Sequence, residues 1–141
     1  MKCSGPRLLI LVATVALTAC STTFTPATNP RRYVGEGGTR HLVSGVEVWT
    51  SGAPDRPFEV IGWLEDERRT GLLSRATFES DVATAAKGAG GDGVILVDSR
   101  TRLHGYVGGT TAQGHEYAYA VGDRTSHLTV FKYIADLGAP K

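Results

Sequence analysis

Four consecutive apolar residues, Val94-Ile95-Leu96-Val97, constrain this chain more than any other feature. The run is too short for a helix, so it reads as a central strand buried on both faces. Ahead of it Gly88, Gly90, Gly91 and Gly93 mark a reversal of the chain. Before that reversal Phe78, Val82, Ala85, Ala86 and Ala89 recur at helical spacing, with Ser74 placed to cap the helix. Elsewhere a period of two dominates. Val46, Val48 and Thr50 alternate with Glu47, Trp49 and Ser51; Phe58, Val60, Gly62 and Leu64 are expected on one face of a longer strand, with Glu59, Ile61, Trp63 and Glu65 on the other. Glu65-Asp66-Glu67-Arg68-Arg69 reads as its solvated exit. Tyr117, Tyr119 and Val121 alternate, as do Leu128, Val130, Lys132 and Ile134, and Gly122 to Ser126 is the expected hairpin turn between them. Leu103 to Val107 is a candidate further strand. The order of elements predicts a single α+β domain, a small antiparallel or mixed sheet with one main helix packed on it.

The first twenty residues follow a different logic. Lys2 and Arg7 precede a ten-residue stretch, Leu8 to Leu17, that is apolar but for Thr14, and Leu17-Thr18-Ala19-Cys20 closes the run. Ten residues are about half of the roughly 20 that a membrane-crossing helix needs, so the stretch reads as a cleavable targeting signal. Leu17-Thr18-Ala19-Cys20 resembles the lipobox of bacterial lipoproteins. The resemblance implies cleavage before Cys20, a diacylglyceryl group on its sulfur, and a second acylation on its amine; two or more acyl chains make a stable anchor. The alternative is an ordinary secretory peptide that leaves Cys20 a free thiol. Ser21 is not the aspartate that retains such proteins in the inner membrane, so the resemblance implies an outer-membrane anchor facing the periplasm.

Removing 19 of the 141 residues leaves 122 with Cys20 as the one cysteine, since Cys3 goes with the signal. Such a chain forms no internal disulfide and depends on its apolar core or on partners. Its 13 basic and 14 acidic side chains give a net charge of −1, which argues against nucleic acid as a partner. Ser, Thr, Pro and Asn dominate from Ser21 to Pro30, and the stretch to about Arg40 reads as a flexible tether. The expected organisation is therefore a signal peptide over 1–19, a lipidated cysteine and tether over 20–41, one domain over 42–137, and a tail over 138–141.

Pro57-Phe58-Glu59-Val60-Ile61-Gly62, followed by Ala85-Ala86-Lys87-Gly88-Ala89-Gly90-Gly91-Asp92-Gly93-Val94-Ile95, resembles the heavy-metal-binding family of small bacterial proteins. It is also similar to the core of the Rcs stress-sensor outer-membrane lipoproteins. The likeness spans roughly residues 46 to 99 and implies a strand, turn, helix and strand arrangement. The stress sensors carry disulfides that this chain lacks the cysteines to make, so their signalling role does not transfer. No metal ligand carries over residue by residue.

Candidate chemistry is sparse. The Gly88 to Gly93 segment matches G-x-G-x-x-G by letter, but it follows a helix and precedes a strand, the reverse of a phosphate-binding turn, so no cofactor is expected. There is no G-x-S-x-G elbow and no H-E-x-x-H, and no enzymatic activity is expected. Imidazoles suit zinc or copper, and His104, His115 and His127 would form a metal site if their strands converge; otherwise, like His41, they are solvated side chains. Trp49 and Trp63 fall opposite the aliphatic residues of their strands. They either pack a second core or, if the helix leaves that face open, form a contact surface. Tyr117, Tyr119 and Tyr133 carry the same pair of readings. The function expected is a non-catalytic protein-binding, sensor or scaffold module, anchored in the membrane by acyl chains on Cys20 and contacting an envelope partner or a second copy of itself. The alternative is a periplasmic metal-binding protein that uses the histidines.

Overall fold

The computed structural model describes residues 21–70 and 74–135, with the side chains of 74–76 left aside. The signal peptide, Cys20, the capping side chain of Ser74 and the 138–141 tail lie outside these described residues. Seven strands and one helix run in the order β1 (Ser21–Pro26), β2 (Arg32–Tyr33), β3 (Gly37–Val43), β4 (Val46–Ala53), β5 (Phe58–Arg69), α1 (Ser74–Gly88), β6 (Gly93–Thr110) and β7 (Glu116–Tyr133). They form one sheet of order β1-β5-β7-β6-β4-β3, with β2 also pairing β5. Every pairing is antiparallel except β4 with β6.

The expected α+β balance does not hold. The described residues are mostly β, about 65% strand against 11% helix, and their sheet curls into a half-barrel. Two stretches account for the difference. The segment expected to be a tether supplies β1, β2 and β3: Ser21 pairs Glu67 and Pro26 pairs Gly62 along the outer edge of β5. Threonine favours a pleated backbone, and Phe24 packs against the main core, so this polar stretch docks as an edge strand. The second stretch is β6 and β7, each 18 residues long. No turn occurs at Gly122 to Ser126. The strand passes straight through, and the hairpin reverses instead at Thr111–His115, where the Thr111 amide donates to the His115 carbonyl at 2.9 Å. Gly122 serves close strand approach, since a Cβ there would collide with the Arg102 carbonyl.

Two β-bulges explain the side-chain faces. The β5–β7 register shifts between Val60 and Gly62, inserting Ile61 as an extra residue. A one-residue insertion exchanges the faces beyond it. Phe58 and Val60 therefore lie opposite Leu64, correcting the expected alternation, and share a face with Trp63. A second shift between Leu96 and Asp98 displaces Val97, which is 66% exposed although Val94 beside it is fully buried. The Val94 run is interior to the sheet, but its last residue faces solvent.

The main core lies between α1 and one face of the sheet, where Phe78, Val82, Ala83 and Ala86 meet Val46, Val48, Leu64, Val94, Leu128 and Val130. The helix ends in a left-handed Gly90 (φ +81°), with the Gly91 amide donating to the Ala86 carbonyl and the Gly90 amide to the Lys87 carbonyl. A smaller cluster of Trp49, Phe58 and Phe131 packs on the helix-free face. Glu65 to Arg69 is solvated only at alternate positions. Asp66 and Arg68 point under the helix and are buried. Asp66 accepts two bonds from Arg68 at 2.5 Å and one from Thr22 Oγ1 at 2.7 Å, and Arg68 also reaches Thr77 and Asp81, each at 3.2 Å. This network ties β1, β5 and α1 together.

Candidate functional site

Because β6 and β7 are longer than the strands beside them, they leave the sheet as a two-stranded ribbon. The body of the sheet closes at Arg69, which pairs Asp123, and at Thr70, whose amide donates to the Gly122 carbonyl at 2.8 Å. Beyond that row Gly105 to Thr110 and Val121 to Glu116 pair only with each other among the described residues. His104 is the extra residue at the register shift between Leu103 and Gly105, and Gly105 resumes the pairing with Val121. Strand alternation then sorts the ribbon's side chains. Val107, Tyr117, Tyr119 and Val121 continue the helix-free face, whereas Tyr106, Ala118 and Ala120 point to the other. Tyr117 lies across Gly109, where a Cβ would meet its hydroxyl at 2.7 Å, and its ring stacks on that of Tyr119 with centroids 6.3 Å apart. Tyr106 is 76% exposed, Leu103 58% and Tyr117 50%. Between Gly105 and Val121 the one carboxylate is Glu116, and no lysine or arginine occurs.

At the base of the ribbon Ser21, Glu67, Arg69, Arg100, Arg102, Asp123 and Arg124 line an open depression. Ser21, Glu67, Thr125 and Arg100 form one register row on the helix-free face. Arg100 pairs with Asp98 at 2.9 Å, His104 with Asp123 at 2.6 Å, and Arg124 donates to Ser99 Oγ at 2.8 Å. Arginines outnumber carboxylates in this depression, and the Arg100 side chain is 85% exposed.

The expected site residues are distributed as follows. Trp49 and Trp63 do lie on one sheet face, in the row Trp63, Thr129, Ile95, Trp49. They do not form a shared contact surface, because Trp49 is 5% exposed inside the small core while Trp63 is 49% exposed. Trp49 is covered by a polar lattice. Its indole N–H donates to Glu47 at 3.1 Å, Glu47 also accepts from Arg40 and the Tyr133 hydroxyl, and Arg56 stacks 3.4 Å from the Tyr133 ring centroid. Burial, aided by the bond to Glu47, raises the Tyr133 pKa; the Tyr133 contact raises that of Arg56. The three histidines do not converge. His115 is in the ribbon's turn, His104 at its base beside Asp123, and His127 in the sheet, 3.6 Å from Glu65. His41 is exposed on β3. Among the described residues no group of three or more His, Cys, Asp or Glu side chains comes together to hold a metal ion. The convergence needed by the metal-binding alternative is therefore missing. Also among the described residues, no helix is long and apolar enough to cross a membrane.

The sequence flagged Tyr117 and Tyr119 without separating core from surface. Arg100, Arg102 and Tyr106 carried no signal, because their significance comes from a ribbon that the expected turn at Gly122 would have removed. No family model, curated protein or solved structure matches this chain.

Proposed function

We propose that this protein is a lipoprotein of the bacterial cell envelope, held at the outer membrane by acyl chains on Cys20, facing the periplasm and working as a non-catalytic contact module. Leu17-Thr18-Ala19-Cys20 supports the anchor. The observation that carries the contact role is the β6–β7 ribbon. A two-stranded ribbon is at best marginally stable in water, and this one presents three exposed tyrosines to solvent. A covering surface would stabilise it. Three carboxylates near its base are engaged in pairs, Asp98 with Arg100, Asp123 with His104 and Glu65 with His127, an arrangement that suits a structural surface.

The test places a photo-activatable residue at Tyr106 or Tyr119 of the full chain in living cells and compares it with the same chain carrying Cys20→Ala. The proposal expects a discrete adduct from at least one of these positions, which lie on opposite faces of the ribbon, and expects it to disappear with the anchor. No adduct from either position, with the protein still membrane-bound, would overturn the contact role.

A further inference from the structure

We infer that the surface covering the ribbon is the membrane itself: the helix-free face of β6–β7 lies along the lipid headgroups, with its tyrosines in the interface and the basal arginines on lipid phosphates. The inference rests on Cys20 being the acylated residue, and three observations support it.

The first is that nothing separates the anchor from the sheet. Ser21, the residue joined to Cys20, already pairs with Glu67, so the chain enters the sheet corner at the first residue after the acylated one. The second is direction. Ser21 and the ribbon leave the sheet by the same end, since Ser21 shares a row with Thr125 and Arg100, from which β7 and β6 continue out to Glu116 and Thr110. β7 lies two strand spacings from β1, about 10 Å, and the ribbon extends beyond the row by about 30 Å at roughly 3.3 Å per residue. Acyl chains that hold the corner at the bilayer therefore leave two orientations for the ribbon. It can plunge into the hydrocarbon or lie along the surface. Plunging is excluded energetically, because both outer edges of the ribbon carry backbone N–H and C=O groups without strand partners among the described residues, each costing several kcal/mol in hydrocarbon. Along the interface those edges stay hydrated.

The third observation is the chemistry of the face that then meets the lipid. Arg69, Arg100 and Arg102 lie near the anchored corner on the helix-free face, and Val107, Tyr117, Tyr119 and Val121 follow outward on the same face. Cationic side chains suit anionic headgroups, and tyrosine suits the boundary where its ring meets acyl chains and its hydroxyl meets water. α1 packs on the opposite face of the sheet and does not obstruct this contact.

The experiment uses the full chain, expressed with its own signal and reconstituted into vesicles of phosphatidylglycerol with phosphatidylcholine, or of phosphatidylcholine alone. An environment-sensitive fluorophore is placed on Tyr119→Cys or, as a control at the far end of α1, on Lys87→Cys; the mass of the N-terminal peptide reports acylation. The inference expects an acylated peptide, with emission at 119 shifted to the blue and quenched by spin labels on the lipid chains, and emission at 87 remaining aqueous. Omitting phosphatidylglycerol should reduce the quenching at 119; equal quenching in both vesicles would overturn the role given to the arginines. An acylated protein whose 119 label stays aqueous overturns the inference and leaves the anchor standing. A peptide without acyl mass overturns the anchor and the inference with it. A 119 label shielded from both water-phase and lipid-phase quenchers would mark two ribbons paired edge to edge, and overturns the membrane assignment.

Discussion

Removing the Asp66 carboxylate takes from a buried cation its closest counter-charge. The Asp66 residue has no solvent exposure, and the Arg68 side chain is 1% exposed. In Asp66→Ala the guanidinium loses its two bonds at 2.5 Å and keeps Thr77 and the half-exposed Asp81 near it, each at 3.2 Å. Breaking one side of a buried ion pair costs about 3–5 kcal/mol, and the remaining Asp81 contact places the expected loss near the low end, about 3 kcal/mol. At roughly 2.1 cal/mol/K per residue over a fold of about 115 residues, that lowers Tm by about 12 °C. Equilibrium urea unfolding followed by the fluorescence of buried Trp49 measures it. The paired replacement Asp66→Leu with Arg68→Met removes both desolvated charges and should fall within about 1 kcal/mol of the parent. A single variant that loses less than about 1 kcal/mol, or a double variant as unstable as the single, would refute the argument that loss of the buried Asp66–Arg68 pairing sets the cost.

Other outcomes follow from the packing. A Cβ at Gly62 meets the Phe24 ring and the Thr25 carbonyl oxygen at about 2.5 Å, so Gly62→Val should strip β1 from β5, read as fast amide exchange over Ser21 to Thr25 while β7 stays protected. Phe131, fully buried between Phe58 and Tyr133 with ring centroids 5.2 Å from each, should cost about 3–5 kcal/mol as Phe131→Ala in urea unfolding. Burial raises the Tyr133 pKa above 10.0, so the native state holds that proton more tightly than the unfolded chain. Its contribution is complete below pH 10 and is lost as pH rises through the higher native value; Tyr133→Phe should flatten the alkaline arm of the stability profile.

What was legible in the sequence was local periodicity. The helix over Phe78 to Ala86, its termination by glycine and the strands at Val46, Phe58, Val94 and Leu128 all follow from spacing and turn chemistry. What was hidden depends on pairing. Ser21 to Thr25 has a tether's composition, and it becomes a strand because Phe24 finds the core and Thr22 finds Asp66, 44 residues away. Bulges at Ile61 and Val97 leave no compositional mark, yet each decides which face its neighbours occupy. Gly122 is ambiguous in sequence, because a glycine that permits close strand approach looks the same as one that turns a hairpin. That ambiguity conceals the ribbon, and with it the arrangement of Arg100, Arg102 and Tyr106. Trp49 and Trp63 show the same limit: alternation put them on one face, but only the lattice of Glu47, Arg40 and Tyr133 decides that one is covered and the other is not.

The central claim is that the lipid-bearing residue joins directly to the sheet. Hydrogen exchange of the acylated, vesicle-held protein tests it at those amides of Thr22 to Thr25 that face β5, every second one in an edge strand. The account predicts protection comparable to that of Leu64 and Glu65 across the strand pair. Exchange at the rate of an unstructured chain would show a tether between membrane and domain, and would contradict both the docking of β1 and the placement of the ribbon on the bilayer.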